Sequence, residues 1–316
     1  MTAASVREMI AAPGFSSLIT IEGPAGPGDW PETRAREVCR GLESGNIVFL
    51  PTAPIEIPHE DRELLLGRKQ SSSAYHKNIA YRPMEDLVTG LDKSETQEAE
   101  KLRRILGDYS RRSVEFLRYL LAPYAGQWKL EFASFRPIEE KGRQARLHAR
   151  NDLLHFDSFP TRPTNGARIL RFFTNINPAQ NRVWLTSQTF QAFGPRMVES
   201  CGLASSLNNP LLRGMRALGR ALHLQGANRS PYDDLMHRCH NAMKEDAMFQ
   251  ENTPKNRWEF PPNSAWMVFT DCVSHAVLSG QYALEQTLLV PVSALVEPQR
   301  SPLAILETVT GRRLTV

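Results

Sequence analysis

His155, Phe156 and Asp157 set an imidazole and a carboxylate two positions apart, in the stretch LLHFDSFPTRPTNGARILRFFTN, residues 153–175. In extended chain, residues i and i+2 point to the same side. His155 and Asp157 can therefore hold one ion together. They supply two of the three ligands in the set of two histidines and one carboxylate that binds ferrous iron and leaves positions open. The missing imidazole should come from a distant strand. His275, in AWMVFTDCVSHAVLSGQ, is the best placed, because it follows a strongly apolar strand-like run.

Other histidines compete for that third place. His148 lies too near in sequence to close a barrel site, and His76 sits in a polar loop. His223 competes as well. His237 and His240 share one side of a predicted helix with Cys239 between them, a spacing that could make a separate zinc site, but no second ligand pair lies nearby. The chain also carries an internal control. His59, Glu60 and Asp61 repeat the spacing, yet they follow Pro58 and precede RELLLG. There the acids suit the first turn of a helix, whose exposed N–H groups favour negative charge. That copy is expected to start a helix and hold nothing.

Iron oxygenases with this ligand set chelate 2-oxoglutarate and need a cation for its distal carboxylate. The planar arginine fork fits such a group. The strand after His275, YALEQTLLVP, has no Lys or Arg. The strand after the His155 turn offers Arg168 and Arg171. Its alternation puts Ile169, Arg171, Phe173 and Asn175 on one face and Leu170, Phe172, Thr174 and Ile176 on the other. The first face suits a wet, cofactor-lined interior; the second suits packing under helices. Arg171 is the preferred cation and Arg168 the second choice. Asn175 shares the Arg171 face, and Gln286 is placed to add a hydrogen bond from the last strand. Arg136 and Arg162 are next in line.

The elements that must position these residues can be read from periodicity. PETRAREVCRGLESG has helical spacing with Pro31 at its start and Gly45 at its end. The longest helical pattern, SETQEAEKLRRILGDYSRRSVEFLRYLLAPY, carries an apolar stripe through Leu102, Ile105, Leu106, Tyr109, Val114, Leu117 and Leu121, and Pro123 stops it. NIVFLP, WKLEFASFRP, RILRFFTNIN, RVWLTS, AWMVFTD and LEQTLLVPVS read as strands bounded by Pro, Gly and Asn. In SPYDDLMHRCHNAMKEDAMF, Ser230 is the expected N-cap and Pro231 the first helical residue. The expectation is an α+β, mainly β chain: an antiparallel barrel or sandwich with helical decoration. Residues 1–316 form one compact unit, with a mixed helical region over 1–125 and a β core over 126–295 that holds a helical insert at about 190–250.

Composition narrows the class. With 41% hydrophobic and 23% charged residues the chain is of globular type. No apolar run reaches the ~20 residues of a membrane span, and the start has no signal-peptide pattern, so a cytoplasmic location is expected. The four cysteines, Cys39, Cys201, Cys239 and Cys272, are scattered and fit reduced, buried thiols. The net charge of +4 fits anionic partners. No dense basic helix or aromatic–basic stripe appears, which argues against nucleic acid.

Several stretches together resemble the Kdo hydroxylase family. They are LHFDSFPTRPTNGARILRFFTNINP, RVWLTSQTF, SPYDDLMHRCHNAMKEDAMFQ and FPPNSAWMVFTDCVSHAVLSGQYALEQTLLVPV, with the earlier GNIVFLP and KNIAY. The likeness runs from about residue 40 to 295. It implies a double-stranded β-helix (a jelly-roll, cupin-like core) and an enzyme using Fe2+, 2-oxoglutarate and O2. The implied reaction hydroxylates C3 of 3-deoxy-D-manno-oct-2-ulosonic acid (Kdo) in the lipid A inner core, giving D-glycero-D-talo-oct-2-ulosonic acid. It carries the iron ligands onto His155, Asp157 and His275. On that reading the partner is a Kdo–lipid A glycolipid, with peripheral contact at the cytoplasmic membrane face. Lys141, Arg143, Arg146 and Arg150 are then candidates to meet its carboxylates or phosphates, and Phe156, Phe159, Trp184 and Phe190 are candidates to wall the pocket.

Overall fold

The structure is a computed structural model that describes residues 5–9, 12–23, 30–68, 78–91, 96–200 and 229–315. Cys201, His76, His223 and the middle of the expected helical insert lie outside the described residues.

Runs rich in β-branched and aromatic residues form the larger of two sheets. Its nine strands are β1 (Ser5–Met9), β2 (Leu18–Glu22), β3 (Ile47–Leu50), β4 (Ile79–Arg82), β5 (Leu87–Thr89), β6 (Lys129–Arg136), β7 (Arg168–Asn175), β10 (Ala265–Phe269) and β12 (Ala283–Val290). They lie in the order β1-β2-β3-β10-β7-β12-β6-β4-β5. The small sheet is β11-β8-β9, from β8 (Arg182–Thr189), β9 (Asn256–Phe260) and β11 (Val273–Ser279). Pairing is antiparallel except between β2 and β3. β3 pairs with β10 and β4 with β6, so residues from 1–125 and from 126–295 share one sheet.

The helices are α1 (Glu32–Glu43), α2 (His59–Leu66), α3 (Thr96–Leu120), α4 (Phe190–Ser200), α5 (Pro231–Glu245), α6 (Ala247–Asn252) and α7 (Pro302–Thr310). The apolar stripe of α3 packs on the large sheet: Leu102, Leu106 and Leu117 join Leu170, Phe172, Leu284 and Leu288 in one cluster. This is the strand-face assignment expected for β7. The opposite face of β7 looks toward the small sheet. There Phe173, Trp184, Phe260, Trp266, Val268 and Val273 form a second cluster. Trp266 stacks on Phe260 at 4.0 Å and on Phe173 at 5.1 Å. Ser230 caps α5 in a reciprocal capping box with Asp233, and Pro231 is its first residue. His59 opens α2 on the surface, and Asp61 there pairs with Arg104, so this copy of the motif is a helix start.

Cys39, Cys239 and Cys272 are buried thiols. Among the described residues no helix is long and apolar enough to cross a membrane.

The aromatic stack between the sheets sets the width of the interior. Trp266→Ala is expected to lower unfolding free energy by about 3–5 kcal/mol, read by denaturant titration. A loss below about 1 kcal/mol would show that the stack does not hold the sheets apart.

Candidate metal centre

His155 lies just outside the regular strands, and it is fastened from two sides. On one side it forms an isolated antiparallel bridge to His275 of β11: His155 N donates to His275 O at 3.1 Å and His275 N to His155 O at 3.0 Å. On the other side α6 acts in place of a strand. Gln250 accepts from Leu154 N at 2.9 Å and donates to Leu154 O at 2.8 Å. Asp157 N then donates to Thr270 O at 2.8 Å, tying the motif to the turn after β10. Directly bridged residues project their side chains to the same side, and the two imidazole centroids lie 4.6 Å apart.

One ligand atom from each of His155, Asp157 and His275 lies within 4.8 Å of the others, and this is the one such group among the described residues. Each histidine ring places Nδ1 near the carbonyl two residues before it, Leu153 O at 2.7 Å for His155 and Val273 O at 3.1 Å for His275. With Nδ1–H donating there, Nε2 keeps its lone pair for an ion. His155 Nε2 lies 3.6 Å from Asp157 Oδ1. Burial pushes His155 well below the usual imidazole range despite Asp157, and burial lowers His275 as well. Both are therefore neutral and ready to ligate at neutral pH. Burial alone would raise Asp157, but Arg171, followed by His155 and His275, holds it well below the usual carboxylate range. Two neutral imidazoles and an ionised carboxylate fit a divalent ion.

The other histidines have different work. His240 Nδ1 reaches Phe156 O at 2.7 Å, and its ring meets His155 edge-on at 5.0 Å. His237 lies 6.3 Å from His240, and His148 pairs with Glu245. His240 thus braces the motif from α5.

Arg171 does reach the interior, but not as a free cation. Its Nη2 lies 2.9 Å from Asp157 Oδ2 and its Nη1 3.0 Å from Glu285 Oε1. Glu285 also accepts from Arg136 Nε at 2.8 Å and from Thr287 Oγ1 at 2.8 Å. A chain of alternating charge, Asp157–Arg171–Glu285–Arg136, therefore runs inward from the metal donors. Burial works against Glu285, yet Arg136 and Arg171 hold its carboxyl at about 2. Beyond it lies buried Arg182, pushed down to about 10 by burial and by Arg136. Arg182 Nε and Nη2, Trp184 Nε1 and Arg171 Nε are buried without a hydrogen-bond partner, although Arg182 Nη2 stands 4.0 Å from Glu140. Trp184 stacks on His275 at 5.3 Å. A set of unpartnered donors inside a fold is where a polar ligand is expected.

Three expected cofactor contacts are placed otherwise. Arg168 points to the opposite face of β7 and pairs with Asp271 at 2.9 Å. Asn175 is consumed by the chain, donating to Gln180 O and Phe260 O and accepting from Asn177 N. Gln286 faces the helices and donates to Glu131 O and Thr287 O. The functional neighbour on that strand is Glu285, one residue earlier. An acid inside the fully buried run ALEQTLLV demands a cation. Among the aromatics, Phe156 packs on Phe190 in the helix-side core, while Trp184 and Phe159 face the interior charges.

Glu285 gives a pH signature. Its folded value lies below the ordinary 4.5, so its stabilisation is present above 4.5 and is lost as pH falls through about 2. Glu285→Gln is expected to destabilise the protein by about 3–5 kcal/mol at neutral pH, because it strands two buried arginines. It should also flatten the loss of stability between pH 4.5 and 2. Equal slopes in wild type and variant, from denaturant titrations across that range, would contradict the charge chain.

The profile of the 3-deoxy-D-manno-oct-2-ulosonic acid (Kdo) hydroxylase family matches residues 28–313. No curated protein matches the chain in sequence. Among solved structures, the apo form of the Kdo hydroxylase KdoO, a non-heme Fe(II) alpha-ketoglutarate dependent dioxygenase, is 32% identical with a TM-score of 0.80. The alignment covers 94% of this chain and 97% of that one. The KdoO complexes with alpha-ketoglutarate and Fe(III) and with cobalt(II) are 31% and 32% identical over the same shares, with TM-scores of 0.80 and 0.81. A match across most of the chain, in sequence profile and in fold, places this chain in the Kdo hydroxylase family.

Proposed function

We propose that the chain hydroxylates C3 of a Kdo residue in the lipid A inner core, forming D-glycero-D-talo-oct-2-ulosonic acid, with ferrous iron, 2-oxoglutarate and O2. The observation that carries this reading is the convergence of His155, Asp157 and His275 on one point inside a chain of this family. The two sheets around that point are read as a double-stranded β-helix within a single domain. Other members of the wider oxygenase class act on proteins or small molecules, and nothing in the interior favours those substrates over an acidic sugar.

When bound, iron with its cosubstrate and O2 supplies the oxidising power that a protein side chain lacks. The residues of the chain do the rest. His155 and His275 offer Nε2, each oriented by a backbone carbonyl behind it. Asp157 offers Oδ1 while Arg171 holds Oδ2, which keeps the carboxylate ionised and in one orientation. Arg171 thereby takes the role of ligand holder, with its free Nε still facing the interior. The distal carboxylate of 2-oxoglutarate is assigned to Arg136, which also holds Glu285, with Arg182 beside it, because Arg182 Nε and Nη2 are buried donors without a partner. Phe173 and Trp184 exclude water between them and the metal donors.

His155→Ala, Asp157→Ala and His275→Ala should each abolish hydroxylation of Kdo–lipid A and weaken Co(II) binding, followed by its absorbance. His59→Ala should leave both intact. Near-wild-type turnover in any of the first three would refute the ligand set. Arg136→Leu should raise the apparent KM for 2-oxoglutarate about ten- to a hundredfold, the scale of one lost charged hydrogen bond. It should change Co(II) affinity little. Arg171→Leu should do the opposite, weakening the metal first. If the two effects are exchanged, Arg171 is the cosubstrate cation.

A further inference from the structure

A three-stranded sheet cannot cover a nine-stranded one. Past the metal centre, β6, the end of β4 with the turn after it, and residues 161–163 wall an open cavity of about 600 Å3. Its lining includes Arg82, Lys129, Phe132 and Arg162. A second cavity of about 520 Å3 meets it at Pro83 and Leu130 and continues along α3 past Val114 to Arg111 and Arg118. Sharing Pro83 and Leu130, the two cavities are taken together as a furrow around the edge of the sheet, whose charged lining comprises five cations and three acids; Glu85 pairs with Arg82 and Glu131 with both Lys129 and Arg162, which leaves the cations two in excess.

The inner end of the furrow is one aromatic ring from the metal donors. The Arg162 guanidinium lies 4.2 Å from the Phe132 ring centre and 4.3 Å from that of Phe159. Arg171, which holds Asp157, lies 5.5 Å from the same Phe159 ring. The outer lip is the turn between β4 and β5. Met84 is 83% exposed and Leu87 48% exposed, two of the four large apolar side chains that stand exposed among the described residues. The acids of the turn carry no free charge outward, since Glu85 pairs with Arg82 and Asp86 with Arg103. An apolar tip beside a basic furrow matches an amphiphile whose head is anionic.

We propose that this furrow docks an anionic glycolipid at a membrane surface, with the acidic head in the basic end beside the metal centre and the β4–β5 turn seated in the lipid layer. The proposal rests on the hydroxylase reading and places its substrate. It also moves the basic contact away from Lys141, Arg143, Arg146 and Arg150.

The test is cosedimentation of the full chain with vesicles of phosphatidylcholine, with and without phosphatidylglycerol. Wild type is expected to bind the anionic vesicles and to be released by salt. Met84→Ser with Leu87→Ser, and separately Arg82→Gln with Lys129→Gln, should each weaken that binding about tenfold, with thermal melting used to establish folding. Leu147→Ser with Met248→Ser removes the other exposed apolar pair and should not weaken it. Absence of vesicle binding, or equal losses in all three variants, overturns the proposal. A second readout separates it from the hydroxylase reading. The two furrow variants should lose kcat/KM on Kdo–lipid in vesicles more than on a deacylated, water-soluble Kdo saccharide; equal losses on both also overturn the docking surface. Failure of wild type to oxidise Kdo in either form refutes the hydroxylase reading instead, while variant-sensitive vesicle binding would still support the lipid contact.

Discussion

Two backbone hydrogen bonds, exchanged between His155 and His275, are the constraint on which the centre depends. The two residues lie far apart in sequence. The bridge makes them direct neighbours, so both rings emerge on the same side. The surrounding fold secures that bridge. β11 is held by β8, with register shifts on either side of His275 that turn its side chain inward. The His155 segment has no second strand neighbour, and Gln250 and His240 from the helical insert satisfy its backbone in place of one.

The second layer of order is electrostatic. A carboxylate that ligates a metal must stay ionised in a dry place, and burial opposes that. Arg171 solves the problem for Asp157, but a buried guanidinium needs its own counter-charge, which Glu285 supplies; Glu285 in turn takes Arg136. Each residue exists because of the one before it, and together they fix three strands, β6, β12 and β7, in register. The aromatic cluster plays the complementary part. It occupies the inter-sheet space with atoms that cannot ligate, so polar ligands have one place to go.

Much of this was legible in the sequence, and the exceptions have physical causes. The six strongly apolar strands and the α3 stripe were readable because their residues face one environment along their whole length. The face of β7 that carries Arg171 followed from simple alternation. β11 was not readable: VSHAVLS mixes small, polar and apolar residues, because Val273 and Val277 serve the inter-sheet cluster while His275 between them serves the centre. β1, β2 and α7 escaped because they are short and gain their stability from the sheet and from tertiary contacts. Gln286 and Glu285 differ by one position, and only the register against β7, with its shift in pairing to β6, decides which faces inward. The residues that converge, His155, Asp157 and His275, were legible as a group from type and spacing; the ion pair that disciplines Asp157 was not, since it joins residues with no local relation.

The chain of four charges has a consequence for the order of events. Asp157 and Glu285 cancel Arg136 and Arg171, so this chain of charges is electroneutral before anything arrives. A divalent cation leaves it two units positive, and a dicarboxylate dianion restores neutrality. Each therefore increases the affinity for the other, and by thermodynamic reciprocity the coupling is the same in both directions. The protein's own charges thus favour simultaneous loading by a cation and a dianion, and disfavour the half-loaded states, in which a lone ion would sit in low dielectric without its counterpart.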